Sequence, residues 1–188
     1  MHINYLPNIS YFQELLAKKE YVFHLNDVYH RQTYRNRTEI VGPNGLMVLS
    51  IPTVKLDPVK RNFENIRISY SEAWLKQHWK SFESAYRRSI YFEYYEDKFK
   101  DLYQKPAFEY LWEFNLDLIK RVLSILRVKD TLILDKETRI EPNKYNQLLY
   151  NKKYTQVFSS KIEFAENLSI IDLLFNTGPQ AVDYLKSN

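Results

Sequence analysis

Tyr29-His30-Arg31-Gln32-Thr33-Tyr34-Arg35-Asn36-Arg37, running through Thr38-Glu39-Ile40-Val41 into Gly42-Pro43-Asn44-Gly45, is the stretch on which the fold of this chain turns. Asn-Gly between two apolar runs is a strong short-range signal for a β-hairpin, because both residues tolerate positive φ. The expected arms are Arg31 to Val41 and Leu46 to Ile51, with Pro52 ending the second. A strand-forming run of Tyr, Thr and Tyr that carries three guanidinium groups and two amides is no ordinary core strand. In extended geometry Arg31, Arg35 and Arg37 share one face, and Gln32, Tyr34 and Asn36 the other. The guanidinium fork matches phosphate and carboxylate oxygens bidentately, so the first face is suited to grip an anion.

On the N-terminal side, Tyr21-Val22-Phe23-His24-Leu25 reads as a buried strand, preceded by a helix from a cap at Asn8 or Ser10 to about Lys19. On the C-terminal side, Pro58 falls in a polar stretch, Lys55 to Asn62, expected to be loop. Ser69-Tyr70-Ser71-Glu72 matches the capping-box pattern and predicts a helix to about Ser89. Leu75, Trp79, Phe82 and Tyr86 are expected as its buried stripe, with Trp74, His78 and Ala85 on the shoulder. Helices are expected again over about 92–104, stopped by Lys105-Pro106, and over about 107–126. Thr131 to Leu134 is a candidate strand and Asp135 to Lys153 a loop. A helix opening at Asn167 or Ser169 should close on a glycine cap at Gly178, and Pro179 should start the last one. No repeat or linker interrupts the chain, so residues 1–188 read as one domain. A small mixed sheet from the N-terminal part, under a largely helical middle and C-terminal part, makes the class α/β or α+β.

The 188 residues suffice to bury a core without disulfides or metals. The absence of cysteine removes thiolate catalysis and cysteine-based metal sites, and suits a cytoplasmic protein. The opening Met1 to Pro7 lacks the features of a secretory leader, and no window approaches the roughly 18 apolar residues of a membrane helix, so no integral membrane segment is expected. The net charge of +4 is spread among interleaved signs rather than gathered into runs, which argues against nucleic acid as partner. Sixteen tyrosines and eleven phenylalanines against three glycines could line a ligand cleft, but ordinary core packing is the reading that comes first.

Catalytic signatures with fixed spacing are missing: no Gly-rich phosphate loop, no G-x-S-x-G elbow, and no HExxH pairing among His2, His24, His30 and His78. No metal site and no cofactor can be named. Asp27, beside the arginines, could orient a ligand or accept its proton, or could form a structural ion pair with Arg31 or Arg35. Arg35-Asn36-Arg37 could hold an anionic ligand, pin a buried carboxylate, or be a solvated edge. His78, one turn from Trp74 and two from Tyr86, could act as a general base or be hydrogen-bonded packing.

These residues also carry a likeness. Tyr5-Leu6-Pro7 with Tyr11-Phe12, Asp27 with Gln32 to Arg37, Asn44-Gly45 before Leu49 to Pro52, and Trp74, His78 and Ala85-Tyr86 occur in an order that resembles the WbqC-like family. Tyr91-Phe92, Tyr94-Tyr95, Asn115, and Leu168 to Phe175 with Gly178-Pro179 extend the likeness over nearly the whole chain. The resemblance implies acyl or aminoacyl transfer (glycine transfer has been proposed) in surface-polysaccharide or O-antigen biosynthesis. Asp27 and His78 would be the acid/base groups. Arg35, Asn36, Arg37 and Gln32 would hold an anionic donor, and Trp74 and Tyr86 would stack on sugar or base. The alternative is a non-catalytic cytoplasmic binding protein for a nucleotide-sugar or other anionic ligand. Two positions depart from the family pattern: His24 stands where glutamate is frequent, and Thr38 where cysteine is frequent. Substrate, donor and oligomeric state are not legible.

Overall fold

The structure, a computed structural model, describes residues 1–55, 62–128, 131–140 and 152–186. It is α+β. Helix α1 (Ile9–Leu16) follows an extended lead, and Asn8 caps it by accepting from the Tyr11 amide. Strand β1 (Tyr21–His24) is followed, after a turn region, by β2 (Arg37–Gly42) and β3 (Gly45–Ser50). Helices α2 (Trp74–Tyr86), α3 (Phe92–Tyr95), α4 (Asp97–Gln104) and α5 (Leu111–Ile125) form the middle. Strand β4 (Leu132–Asp135) and helices α6 (Ile170–Thr177) and α7 (Ala181–Lys186) complete the described chain. No helix among the described residues is long and apolar enough to cross a membrane.

The sheet is mixed and in two pieces. β2 and β3 pair antiparallel from Arg37 opposite Ser50 to Gly42 opposite Gly45. Pro43 and Asn44 make the turn, and of the expected Asn-Gly pair only Gly45 takes a positive φ, 110°. Proline's fixed φ suits the first turn position, which leaves the left-handed step to the glycine. β1 pairs in parallel with β4, Tyr21 opposite Leu132, so one strand comes from beyond the helical middle rather than from the N-terminal part. The polar loop expected over 55–62 falls largely outside the described residues, as does much of that over 135–153.

The first arm of the hairpin starts later than the sequence suggests. Residues 31–36 form consecutive turns, not a strand, so Arg31, Arg35 and Arg37 do not share an extended face. The Thr33 carbonyl accepts from the amides of Asn36 and Arg37 at 3.1 and 3.0 Å, and the Thr33 hydroxyl donates to the His30 carbonyl at 2.9 Å. Gln32 takes φ 61° at the exposed tip.

α2 also differs. It begins at Trp74 with Ala73 as cap, and Ser69 bonds Ser71 instead of closing a box with Glu72. Its buried face is Trp74, His78, Phe82, Ala85 and Tyr86, while Leu75 and Trp79 flank it. The shoulder expected from the sequence is therefore the centre of the contact, because His78 meets partners that make its burial tolerable. Around Phe175 of α6, the rings of Tyr86, Phe92 and Phe99 close the core at 5.2, 5.1 and 6.0 Å. α6 follows the sequence closely: Ser169 stands at its N-cap position, with its hydroxyl on the Leu6 carbonyl, and Gly178 ends it at φ 55°.

Candidate functional site

The 31–36 turn is tied down from beneath by Asp27 and Arg35, both buried. The Arg35 guanidinium pairs with Asp27 Oδ2, donates to the Val28 carbonyl at 2.9 Å, and lies 4.9 Å from the centre of the Phe63 ring. His2 Nδ1 stands 2.8 Å from the same carboxylate oxygen. Such a pair is held by geometry and by filling its remaining hydrogen-bonding positions, since desolvating two charges is costly. Asn36 donates to the Ile51 carbonyl at 3.2 Å, locking the turn onto the end of β3.

A second polar cluster lies around His78. Its Nδ1 is 2.8 Å from the Tyr5 hydroxyl, which is 2.9 Å from the Tyr103 hydroxyl. The Ser50 carbonyl meets the other side of the ring. A carbonyl only accepts, so Nε2 carries the proton, Nδ1 accepts from Tyr5, and Tyr5 accepts from Tyr103. Burial pushes the His78 pKa down to about 4 and both phenols well up, so all three groups are neutral at pH 7. Trp74 stands edge-on to His78 at 5.1 Å, with its indole N–H on the Ser69 carbonyl at 3.1 Å. Tyr86, at the far end of α2, turns its hydroxyl to Asp172.

The two clusters are neighbours joined through Tyr5, whose amide donates to the Tyr34 carbonyl at 2.8 Å while its hydroxyl serves His78. Asn115 reinforces the link by donating to the carbonyls of Arg35 at 2.7 Å and Ile3 at 3.4 Å. Asp27, Arg35, Asn36, Trp74, His78 and Tyr86 are all buried, Arg37 is half-buried and Gln32 is exposed. The two departures from the family pattern have their own roles. The Thr38 hydroxyl donates to the Leu6 carbonyl at 2.8 Å, joined there by Ser169 at 3.0 Å, which steadies Leu6 at φ 36°. His24 lies 3.2 Å from Asp135.

The accessible hollow lies on the other side of the turn. A pocket of about 290 Å³ is lined by Tyr29, His30, Arg31, Thr53, Val54, Lys55 and Ile66. Tyr29 and Ile66 form a buried, largely apolar floor, and His30, Arg31 and Lys55 are exposed. Burial raises the Tyr29 pKa, and the guanidinium groups of Arg31 and Arg37 pull the other way. Among the described residues no acceptor meets the buried Nε of Arg37. His30 and Lys55 were missed as site residues; nothing in their local sequence shows that the segment after β3 brings residues 53–55 beside 29–31. No group of three or more His, Cys, Asp or Glu side chains converges among the described residues.

The model of the WbqC-like protein family matches residues 3–152 and 144–184. The chain belongs to the WbqC-like protein family. It is also similar to an uncharacterized protein of Mycobacterium tuberculosis (strain ATCC 25618 / H37Rv), 23% identical over 225 residues, covering 97% of this chain and 94% of that protein. No solved structure matches it. The family match takes in Asp27, Arg35, the His78 cluster and the basic pocket, and begins just after His2.

Proposed function

We propose that this WbqC-like protein is a transferase of surface-polysaccharide assembly, moving an acyl or aminoacyl group to or from a sugar, and that the pocket beneath Arg31 holds the anionic part of its ligand. The observation that carries this is the pocket's make-up: an aromatic and aliphatic floor ringed by a guanidinium, an ammonium and an imidazole, with Arg37 close behind. Guanidinium pairs with phosphate or carboxylate in a planar fork, and the apolar floor suits a base or sugar face. Arg31, Arg37 and Lys55 then touch the ligand, and Gln32 reaches it from the exposed turn. Asp27, Arg35 and Asn36 hold the turn in shape, Trp74 and His78 support it from within the core, and Tyr86 packs on Phe175 at the far end of α2. His30 is the ring in the pocket placed to exchange a proton with a bound group.

Binding without turnover is the second possibility, and a specific observation favours it: Asp27 and His78 are both committed to internal bonds. Calorimetric titration with UDP-N-acetylglucosamine, with uridine as the uncharged control, tests the shared part of both. The nucleotide-sugar should bind, uridine should not, and Arg31→Ala or Lys55→Ala should each weaken binding roughly ten-fold. Equal affinity for uridine would refute the anion site. Consumption of an acyl donor, lost in His30→Ala with ligand affinity kept, would separate the transferase from the binding protein.

A further inference from the structure

A second and larger hollow, about 670 Å³, lies between α6, the segment leading into α7, and residues 152–155. It shares no residue with the basic pocket. The two adjoin opposite ends of α2. Trp74 at its start bonds Ser69, near Ile66 of the basic pocket, whereas Tyr86 at its end faces Asp172 beneath the larger hollow. The volume falls within the range of small-molecule sites.

Its walls are built from a fully buried carboxylate outward. Asp172 Oδ1 accepts from the Tyr154 hydroxyl at 2.7 Å and from Gln156 Nε2 at 3.2 Å. Asn176 donates its amide to the Asp172 carbonyl at 2.8 Å and, more weakly, to Oδ1 at 3.4 Å. With its nitrogen so committed, Asn176 has its carbonyl oxygen to offer the hollow. Tyr154 is fixed in turn, edge-on to Tyr184 at 5.4 Å. Tyr91 is seated by a glycine: a Cβ on Gly178 would stand 2.5 Å from its ring, and its amide bonds the Phe175 carbonyl at 3.1 Å. Three tyrosine rings are thus held in set orientations around one space.

The polar groups on that space are of mixed sign and kind. Lys152 and Lys153 donate, Asp183 and the Asn176 oxygen accept, and Gln180 does both. An anion would face Asp183 and the acceptor oxygen, and a cation would face the two ammonium groups. A neutral ligand that stacks C–H faces on aromatic rings and carries many groups able both to donate and to accept meets neither objection. We propose that this hollow is a binding site for a neutral saccharide, stacked on Tyr91 and paired through its hydroxyls with Asn176, Gln180 and Asp183. It does not rest on the anion pocket and stands if that pocket binds nothing.

Saturation-transfer NMR on the full chain, with cellobiose, maltose and N,N′-diacetylchitobiose as neutral probes and glucuronate and phosphate as charged ones, tests this. At least one neutral saccharide should bind. Tyr91→Ala should weaken it roughly ten-fold, as expected for a lost aromatic platform. Gln180→Ala, an exposed change that spares the fold, should weaken it several-fold, and Arg31→Ala should leave it unchanged. The proposal is overturned if no neutral probe binds, if only charged probes bind, or if binding survives Tyr91→Ala and Gln180→Ala intact.

Discussion

Replacing Asp172 by asparagine should change how stability depends on pH, and the sign can be worked from two buried groups. Burial raises the Asp172 carboxyl from its ordinary 3.8 to about 6, despite hydrogen bonds from Tyr154, Gln156 and Asn176. In the unfolded chain it ionises first, so the unfolded state holds fewer protons between about pH 4 and 6, and stability falls as pH rises through that window. At roughly 1.4 kcal/mol per pKa unit the loss is about 3 kcal/mol by neutral pH. His78 works in the opposite direction. Its pKa drops from 6.5 to about 4, so the unfolded state holds more protons between those values, and stability rises with pH by a similar amount. In the unaltered protein the two slopes largely cancel between about pH 4 and 6. Asp172→Asn keeps one acceptor oxygen for Tyr154 and Gln156, turns the other into an amide donor, and removes the titration. Urea unfolding of both proteins between pH 4 and 7 is the assay. The stability of Asp172→Asn relative to the parent should improve by about 3 kcal/mol across that range, exposing the rising slope of His78. A difference that stays constant with pH would refute the buried-carboxylate account.

Other outcomes follow from the same structure. Asp27→Ala strands the Arg35 guanidinium in the core and should cost about 3–5 kcal/mol, a fall in Tm of roughly 6–20 °C by calorimetry. Asp27→Leu combined with Arg35→Met should recover part of that loss, and no recovery would mean the pair does more than neutralise itself. Tyr5→Phe leaves His78 Nδ1 and Tyr103 without their shared partner and should cost about 1–3 kcal/mol in chemical denaturation; a neutral result would show that the three-residue chain contributes nothing. Gly178→Ala meets both a left-handed backbone and the Tyr91 ring, and should destabilise by about 1–3 kcal/mol with altered tyrosine fluorescence.

What could be read in the sequence was local. The hairpin was legible because Pro43, Asn44 and Gly45 carry their own turn chemistry, and α6 because Ser169 and Gly178 sit at its two ends. The 31–36 turn was not, because its shape depends on a carboxylate at Asp27 that propensity does not register. The face of α2 was misplaced for a similar reason: His78 can sit in the core only because Tyr5, 73 residues earlier, supplies its partner. Asp27 with Arg35, and Trp74 with His78, lie buried in two adjoining clusters rather than lining one hollow, and the open pocket lies beside Arg31 and Lys55. The Asp172 network left no trace, since Tyr86, Tyr154 and Gln156 reach it from separate segments.

Crystals soaked in tungstate, a heavy mimic of phosphate, would test the anion pocket most directly. The account predicts anomalous density among Arg31, Arg37 and Lys55, lost in Arg31→Ala. Density elsewhere on the surface, with this hollow empty, would contradict it.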